Sequence, residues 1–207
     1  MLDILLRPVK ERLLTPLALA IGRRLPPMAV TLAAFIAGIA AAGFAARGEG
    51  GAALAWWIVN RILDGFDGTL ARAQQSQSDF GGYTDVLLDF VVYAAIPIGL
   101  VFGAPNAARA SLAIAALFLA SSFYVNAASW MYLSALLERR GAGARARGEL
   151  TSVTMPEGLI GGTETIVLYT LFFLLPAHVG ALFTIMTVLV TITVAQRLLW
   201  AGRELVN

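Results

Sequence analysis

The sequence predicts an all-α, polytopic membrane protein with six transmembrane helices and an N-terminal amphipathic surface helix. Three observations lead there. Hydrophobic residues make up 58% of the 207 and charged residues 14%, whereas a soluble domain holds about 45–50% apolar and about 25% charged. Apolar stretches near the bilayer-spanning length of about 20 residues recur six times. The cations also fall almost entirely on one side of the implied spans. Zero cysteines exclude a disulfide-stapled secreted module, and a net charge of +2 is too small for a polyanion-binding surface.

The elements follow in chain order within one domain, 1–207. Residues 1–25 interleave leucines with charges and are interrupted by Pro8 and Pro16. They lack the apolar core and small-residue cleavage site of a signal peptide. They read as a juxtamembrane helix with leucines in the lipid and Arg7, Lys10 and Arg12 among the headgroups. The bundle occupies 28–201, with spans expected near 28–46, 52–73, 81–102, 108–137, 159–175 and 179–200. Residues 141–150 (GAGARARGEL) read as a mobile loop.

With six spans, one side of the membrane holds thirteen of the fifteen cations, Arg61, Arg72 and Arg197 among them. The other holds Arg47 and Arg109. That asymmetry puts the richer side in the cytoplasm. Trp56, Trp57 and Trp200 read as interface anchors, and His178, beside Pro176, as an outer loop residue.

The aspartates carry the functional signal. Five of the six (Asp64, Asp67, Asp79, Asp85 and Asp89) lie within 26 residues, and carboxylates are costly at membrane depth. Asp79, in QQSQSDF, reads as a solvated loop residue. The i,i+3 spacing of Asp64 and Asp67 puts both on one helix face, and the i,i+4 spacing of Asp85 and Asp89 does the same on the next. A short connection makes these helices antiparallel neighbours. Four converging carboxylates repel unless cations lie between them, and hard divalent ions, two of them about 3.5–4 Å apart, meet that need. Gly65, Gly68, Gly81 and Gly82 leave room for close approach to backbone, and Arg72, one turn past Gly68, can hold a phosphate. Together these describe a site for a diphosphate or phosphoryl group.

The string D-x2-D-G-x2-A-R-x8-G-x3-D-x3-D, from Asp64 to Asp89, resembles the signature of the CDP-alcohol phosphotransferases without departure. These are integral-membrane enzymes of phospholipid synthesis. Pro27-Met28-Ala29-Val30-Thr31 resembles the family's P-N-x-x-T segment at the nucleotide pocket, with Met28 in place of Asn.

The resemblance implies transfer of the phosphatidyl group of CDP-diacylglycerol to an alcohol with release of CMP. It implies Mg2+ or Mn2+, two ions, as cofactor, a homodimer, and no nucleic-acid partner. Asp64, Asp67 and Asp85 would be metal ligands, and Asp89 both a ligand and the general base. Gly68 and Arg72 would hold the nucleotide and its phosphates, with Thr31 and Ser78 touching the nucleotide. Members that use inositol phosphate tend to carry cations in the cytoplasmic halves of the fourth and fifth spans. The corresponding stretches here, SWMYLSALL and GLIGGTETI, have none. Glycerol 3-phosphate is therefore expected first, ahead of phosphatidylglycerol and a polyol or inositol phosphate.

Other polar residues in the spans admit two readings each. Glu164 either serves the acceptor or is a helix-start glutamate favoured by the dipole. Asn126 reads as an interhelical hydrogen-bonding residue ahead of a substrate contact. Arg197 is the foremost candidate for a phosphate on the acceptor. A divalent-cation transporter is the rival from another class, but it predicts acids distributed through the membrane depth. Here the cluster is followed by the uncharged run FVVYAAIPIGLVF. The intact acids argue against an idle homologue, and the aspartate spacing against a prenyl-transferring enzyme.

Overall fold

A computed structural model describes residues 12–20, 24–144, 146, 148 and 158–206. All regular structure among them is helical. Residues 12–20 form α1, followed by α2 (Pro27–Ala46), α3 (Gly50–Ala73), α4 (Asp79–Gly103), α5 (Asn106–Arg139), α6 (Gly162–Leu174) and α7 (Val179–Val206). A single 3-10 turn, Pro176–His178, precedes α7.

The sequence dictates several of the boundaries. Pro26 is extended and Pro27 opens α2, where its missing N–H costs nothing. Gly48, at φ +77°, takes the left-handed conformation that reverses the chain into α3. Ser78 caps α4, its Oγ accepting the Gly81 N–H at 3.1 Å. Arg109 donates to the carbonyls of Phe102 and Ala104 and closes the other end of α4.

The helices α2, α4 and α5, and the stretch Pro176–Leu205, are long and apolar enough to cross a bilayer. The chain is thus a multi-pass membrane protein. The other two expected spans differ from these. Helix α3 has 24 residues, but from its midpoint onward it carries Arg61, Asp64, Asp67 and Arg72. Helix α6 has only 13 residues, about 20 Å of helix at 1.5 Å per residue. It starts late because the backbone before it is not helical. The Leu159 N–H bonds Gln196 Oε1 at 2.8 Å, and the Ile160 N–H bonds Thr193 Oγ1 at 2.9 Å. Glu164 accepts the Gly161 N–H at 3.0 Å, so its carboxylate caps α6.

Helix α2 packs on α3 and α4, α5 on α7, and α6 against α3 and α7. The core is aromatic where α3, α4, α6 and α7 meet, with Trp57, Tyr169, Phe172 and Phe183 fully buried. Trp57 is therefore not the interface anchor expected of it. Its ring stacks on Tyr169 and its Nε1 donates to Thr170 Oγ1 at 3.0 Å, whereas Trp56 stays exposed. A smaller cluster of Ala18, Val30, Phe66 and Leu70 docks α1 against α2 and α3. Leu13 and Leu17 remain exposed on α1, as a lipid-facing surface helix requires. Arg7 and Lys10, and residues 145, 147, 149 and 150 of the expected 141–150 loop, lie outside the described residues.

Close packing of α4 on α2 uses two glycines one turn apart. A Cβ at Gly99 would be driven into the carbonyl oxygen of Ala42, and one at Gly103 into that of Ala45. This is the small-xxx-small arrangement by which membrane helices approach closely. Because backbone, not a yielding side chain, is the obstacle, Gly99→Ala is expected to cost about 1–3 kcal/mol. Thermal unfolding in detergent will show it as a lowered midpoint, and an unchanged midpoint would refute the packing argument.

Candidate active site between α2, α3 and α4

One face of α3 and the opening turns of α4 bring the aspartates together. Asp64, Asp85 and Asp89 line a single gap of about 10 Å³, closed by Thr31, Ala34 and Phe35 of α2 and by Asn60, Leu88 and Val92. That is about the room of one water-sized body. Asp67, one turn beyond Asp64, is 6% exposed. Its Oδ2 accepts the Thr31 hydroxyl at 2.7 Å and its Oδ1 the Gly68 N–H at 2.5 Å. Thr31 also reaches the Pro27 carbonyl at 3.2 Å. The threonine expected to touch nucleotide thus orients a carboxylate.

Arg61 is the residue that sequence reasoning missed. It stands among the cations assigned to the cytoplasmic side, yet it lies twelve residues before the end of α3, about 18 Å along the axis. Its side chain is 8% exposed. Nη2 meets Asp89 Oδ1 at 2.7 Å and Nη1 meets Asp64 Oδ2 at 3.4 Å. Nε donates to Asn60 Oδ1 at 2.6 Å and Nη1 to the Tyr93 hydroxyl at 3.0 Å. The guanidinium also lies over the rings of Trp57 and Tyr93, at 4.7 and 5.2 Å from their centres. An arginine buried within a helix that is expected to span is by itself a functional signal; counting it for topology conceals that.

Gly68 and Arg72 lie on the next turn of α3. A Cβ at Gly68 would stand 3.3 Å from Arg72 Nη1, so the glycine leaves the guanidinium its place. Arg72 Nη2 donates to Thr69 Oγ1 at 3.2 Å. Ser78 is occupied as the α4 cap, and Asp79 is exposed in the first turn, as a solvated residue should be. Arg197 lies apart from this group. It is 5% exposed, and its Nη1 bonds Asn126 Oδ1 at 2.8 Å and Ser129 Oγ at 2.7 Å, joining α7 to α5. Asn126 thus has the expected interhelical role. His178 lies in the 3-10 turn at the opposite end, on a cavity of about 630 Å³ beside Gly48, Gly103 and Pro105.

The sequence model of the CDP-alcohol phosphatidyltransferase family matches residues 24–198, taking in every residue of this site. The chain belongs to that family. It is 34% identical over 176 residues to the inner membrane protein YnjF of Escherichia coli (strain K12), covering 85% of this chain and 82% of that one. Its fold is similar to that of the Mycobacterium tuberculosis phosphatidylinositol phosphate synthase PgsA1. The form with CDP-DAG bound gives a TM-score of 0.67 at 24% identity over 90% of this chain and 92% of that one. The form with manganese and citrate gives 0.66 at 23%, over 89% and 86%.

Membership makes the chain a membrane transferase of phospholipid synthesis, and the family's enzymes work with Mg2+ or Mn2+. The donor chemistry here fits such an ion, with all-oxygen carboxylate ligands on adjacent helices around an ion-sized gap. As the side chains stand, no three acidic or histidine groups among the described residues are drawn close enough to grip an ion. Thr31 holds Asp67, and Arg61 holds Asp64 and Asp89.

Proposed function

We propose that this transferase moves the phosphatidyl group of CDP-diacylglycerol to an alcohol and releases CMP. The observation that carries the reading is the single gap lined by Asp64, Asp85 and Asp89, with Asp67 one turn and Arg72 about two turns beyond Asp64 on α3. The PgsA1 structure with CDP-DAG bound supports the donor, and the manganese-bound one supports the metal. Six spans, with α3 and α6 crossing beside the four long apolar helices, accord with the cation asymmetry, and on that reading the site faces the cytoplasm at the inner membrane. A homodimer is carried over from the family resemblance.

Asp64, Asp67, Asp85 and Asp89 would hold the divalent ions; the gap has room for one, and a second needs side-chain movement. A bound divalent ion neutralises the donor diphosphate and eases departure of CMP. Arg72, beside the open Gly68, takes a phosphate oxygen of the nucleotide, and Thr31 and Ser78 border the nucleotide side. Asp89 accepts the proton of the acceptor hydroxyl. The hydroxyl oxygen forms a bond to the lipid-side phosphorus, the bond from that phosphorus to the CMP oxygen breaks, and CMP leaves with the electron pair.

Glycerol 3-phosphate is the first acceptor to test. A specific observation raises phosphatidylglycerol beside it. Arg197, the expected phosphate grip, is buried and hydrogen-bonded to α5. The deciding experiment gives purified protein CDP-diacylglycerol and Mg2+ or Mn2+ with each acceptor in turn. One alcohol should accelerate CMP release and yield a new phospholipid. Donor that binds but never releases CMP would point to an idle homologue, and failure to bind donor would refute the reading.

A further inference from the structure

Buried charge on this face of the bundle is balanced in an unexpected way. Four carboxylates belong to the site, yet the cation facing them from within is Arg61, fixed on the same helix as Asp64 and three residues before it. The fork geometry is used in full. One nitrogen is given to Asp89, another is shared between Asp64 and Tyr93, and Nε goes to Asn60. Asn60 is itself locked, its Nδ2 donating to the Ala34 carbonyl at 2.8 Å. Tyr93 is locked too, its carbonyl accepting the Tyr169 hydroxyl at 2.7 Å. With Trp57 and Tyr93 stacked beside it, the guanidinium stands in a built socket. Such a socket suits arginine, which is planar, always charged and tolerant of aromatic faces, and not lysine.

We propose that Arg61 is the resident cation of the carboxylate site. It is a positioning residue that holds Asp64 and Asp89 together across α3 and α4 and competes with a divalent ion for their oxygens. The inference rests on the reading that these carboxylates take such an ion. Its physical content is charge compensation. A carboxylate oxygen 2.7 Å from a guanidinium has one lone pair and part of its charge engaged. An ion drawn to the same oxygen meets a charge already offset and the repulsion of the guanidinium, so Arg61 sets the metal affinity of the site below what four carboxylates alone would give.

The test is Mn2+ titration of the purified full chain, read by the loss of the free-ion paramagnetic resonance signal, beside thermal unfolding in chelator and in Mn2+. Arg61→Gln is expected to bind Mn2+ at least about tenfold more tightly than wild type, since the competing charge is gone. Its midpoint should fall in chelator and recover in Mn2+, and Arg61→Lys, which keeps the charge but not the fork, should return the affinity only part of the way to the wild-type value. A residue of merely structural importance would lower both midpoints equally and leave Mn2+ binding unchanged or weaker, which overturns the proposal. If Arg61→Gln alone does not fold, the double variant Arg61→Gln/Asp89→Asn removes one negative charge and should restore a folded, monodisperse protein. Continued misfolding of the pair also overturns it. Wild type that takes up no Mn2+ would instead refute the metal reading beneath it, a result distinct from unaltered affinity in the variant.

Discussion

Asp89→Asn will release CMP about 10²–10⁴-fold more slowly than wild type, the usual worth of a positioned general base, while still retaining CDP-diacylglycerol. The substitution is close to isosteric and keeps an oxygen to face Arg61, whose Nη2 stands 2.7 Å from Asp89 Oδ1. What it removes is the capacity to take a proton. Asp64 and Asp85 stay on the walls of the same gap, and Asp67 keeps its bond from Thr31. Donor retention, measured with labelled CDP-diacylglycerol in detergent, therefore separates two roles. Slow turnover with normal retention makes Asp89 the base. Slow turnover with lost retention makes it chiefly a metal ligand, and wild-type turnover removes it from the chemistry.

Much of this site was legible because its spacing is helical. Asp64 and Asp67, then Asp85 and Asp89, share faces by the i,i+3 and i,i+4 rules. The spans were equally plain in α2, α4, α5 and α7, where nothing competes with a long apolar run. Reading failed where a residue type has two common uses. An arginine in a membrane protein is usually a topology determinant, so Arg61 counts by sequence among the cations of the cytoplasmic side; only the packing of Tyr93 and Trp57 around it reveals a socket. Trp57 misled for the same reason, since tryptophan favours interfaces, and its burial depends on α6 arriving from over a hundred residues away with Thr170 as partner. The short α6 was also hidden. Leu159 and Ile160 are apolar enough to extend a helix, but Gln196 and Thr193 claim their N–H groups.

Metal removal is the other large effect expected. Chelation should abolish CMP release and added Mg2+ or Mn2+ restore it, because in the proposed reaction a donor diphosphate approaches four carboxylates that have only Arg61 among them to offset their charge. Asp67→Asn should resemble chelation at ordinary metal concentration and recover only partly when the metal is raised. Thr31→Val gives the finer test. Valine has nearly the shape of threonine, so the packing of α2 on α3 is kept, but the 2.7 Å donation to Asp67 Oδ2 is lost. Partners that orient a ligating carboxylate are worth about 10–100-fold in metal affinity or activity. The metal concentration giving half-maximal CMP release in Thr31→Val should therefore rise within that range, with a smaller change at saturation. A rise in the CDP-diacylglycerol requirement with no change in the metal requirement would instead mean that Thr31 serves the nucleotide. The two roles draw on the same hydroxyl, whose proton is directed to Asp67 and which is left with only its lone pairs for a ligand. The amino group of cytosine or a ribose hydroxyl could donate to those lone pairs and an ionised phosphate oxygen could not, so any nucleotide role of Thr31 must be at the nucleoside and not at the diphosphate.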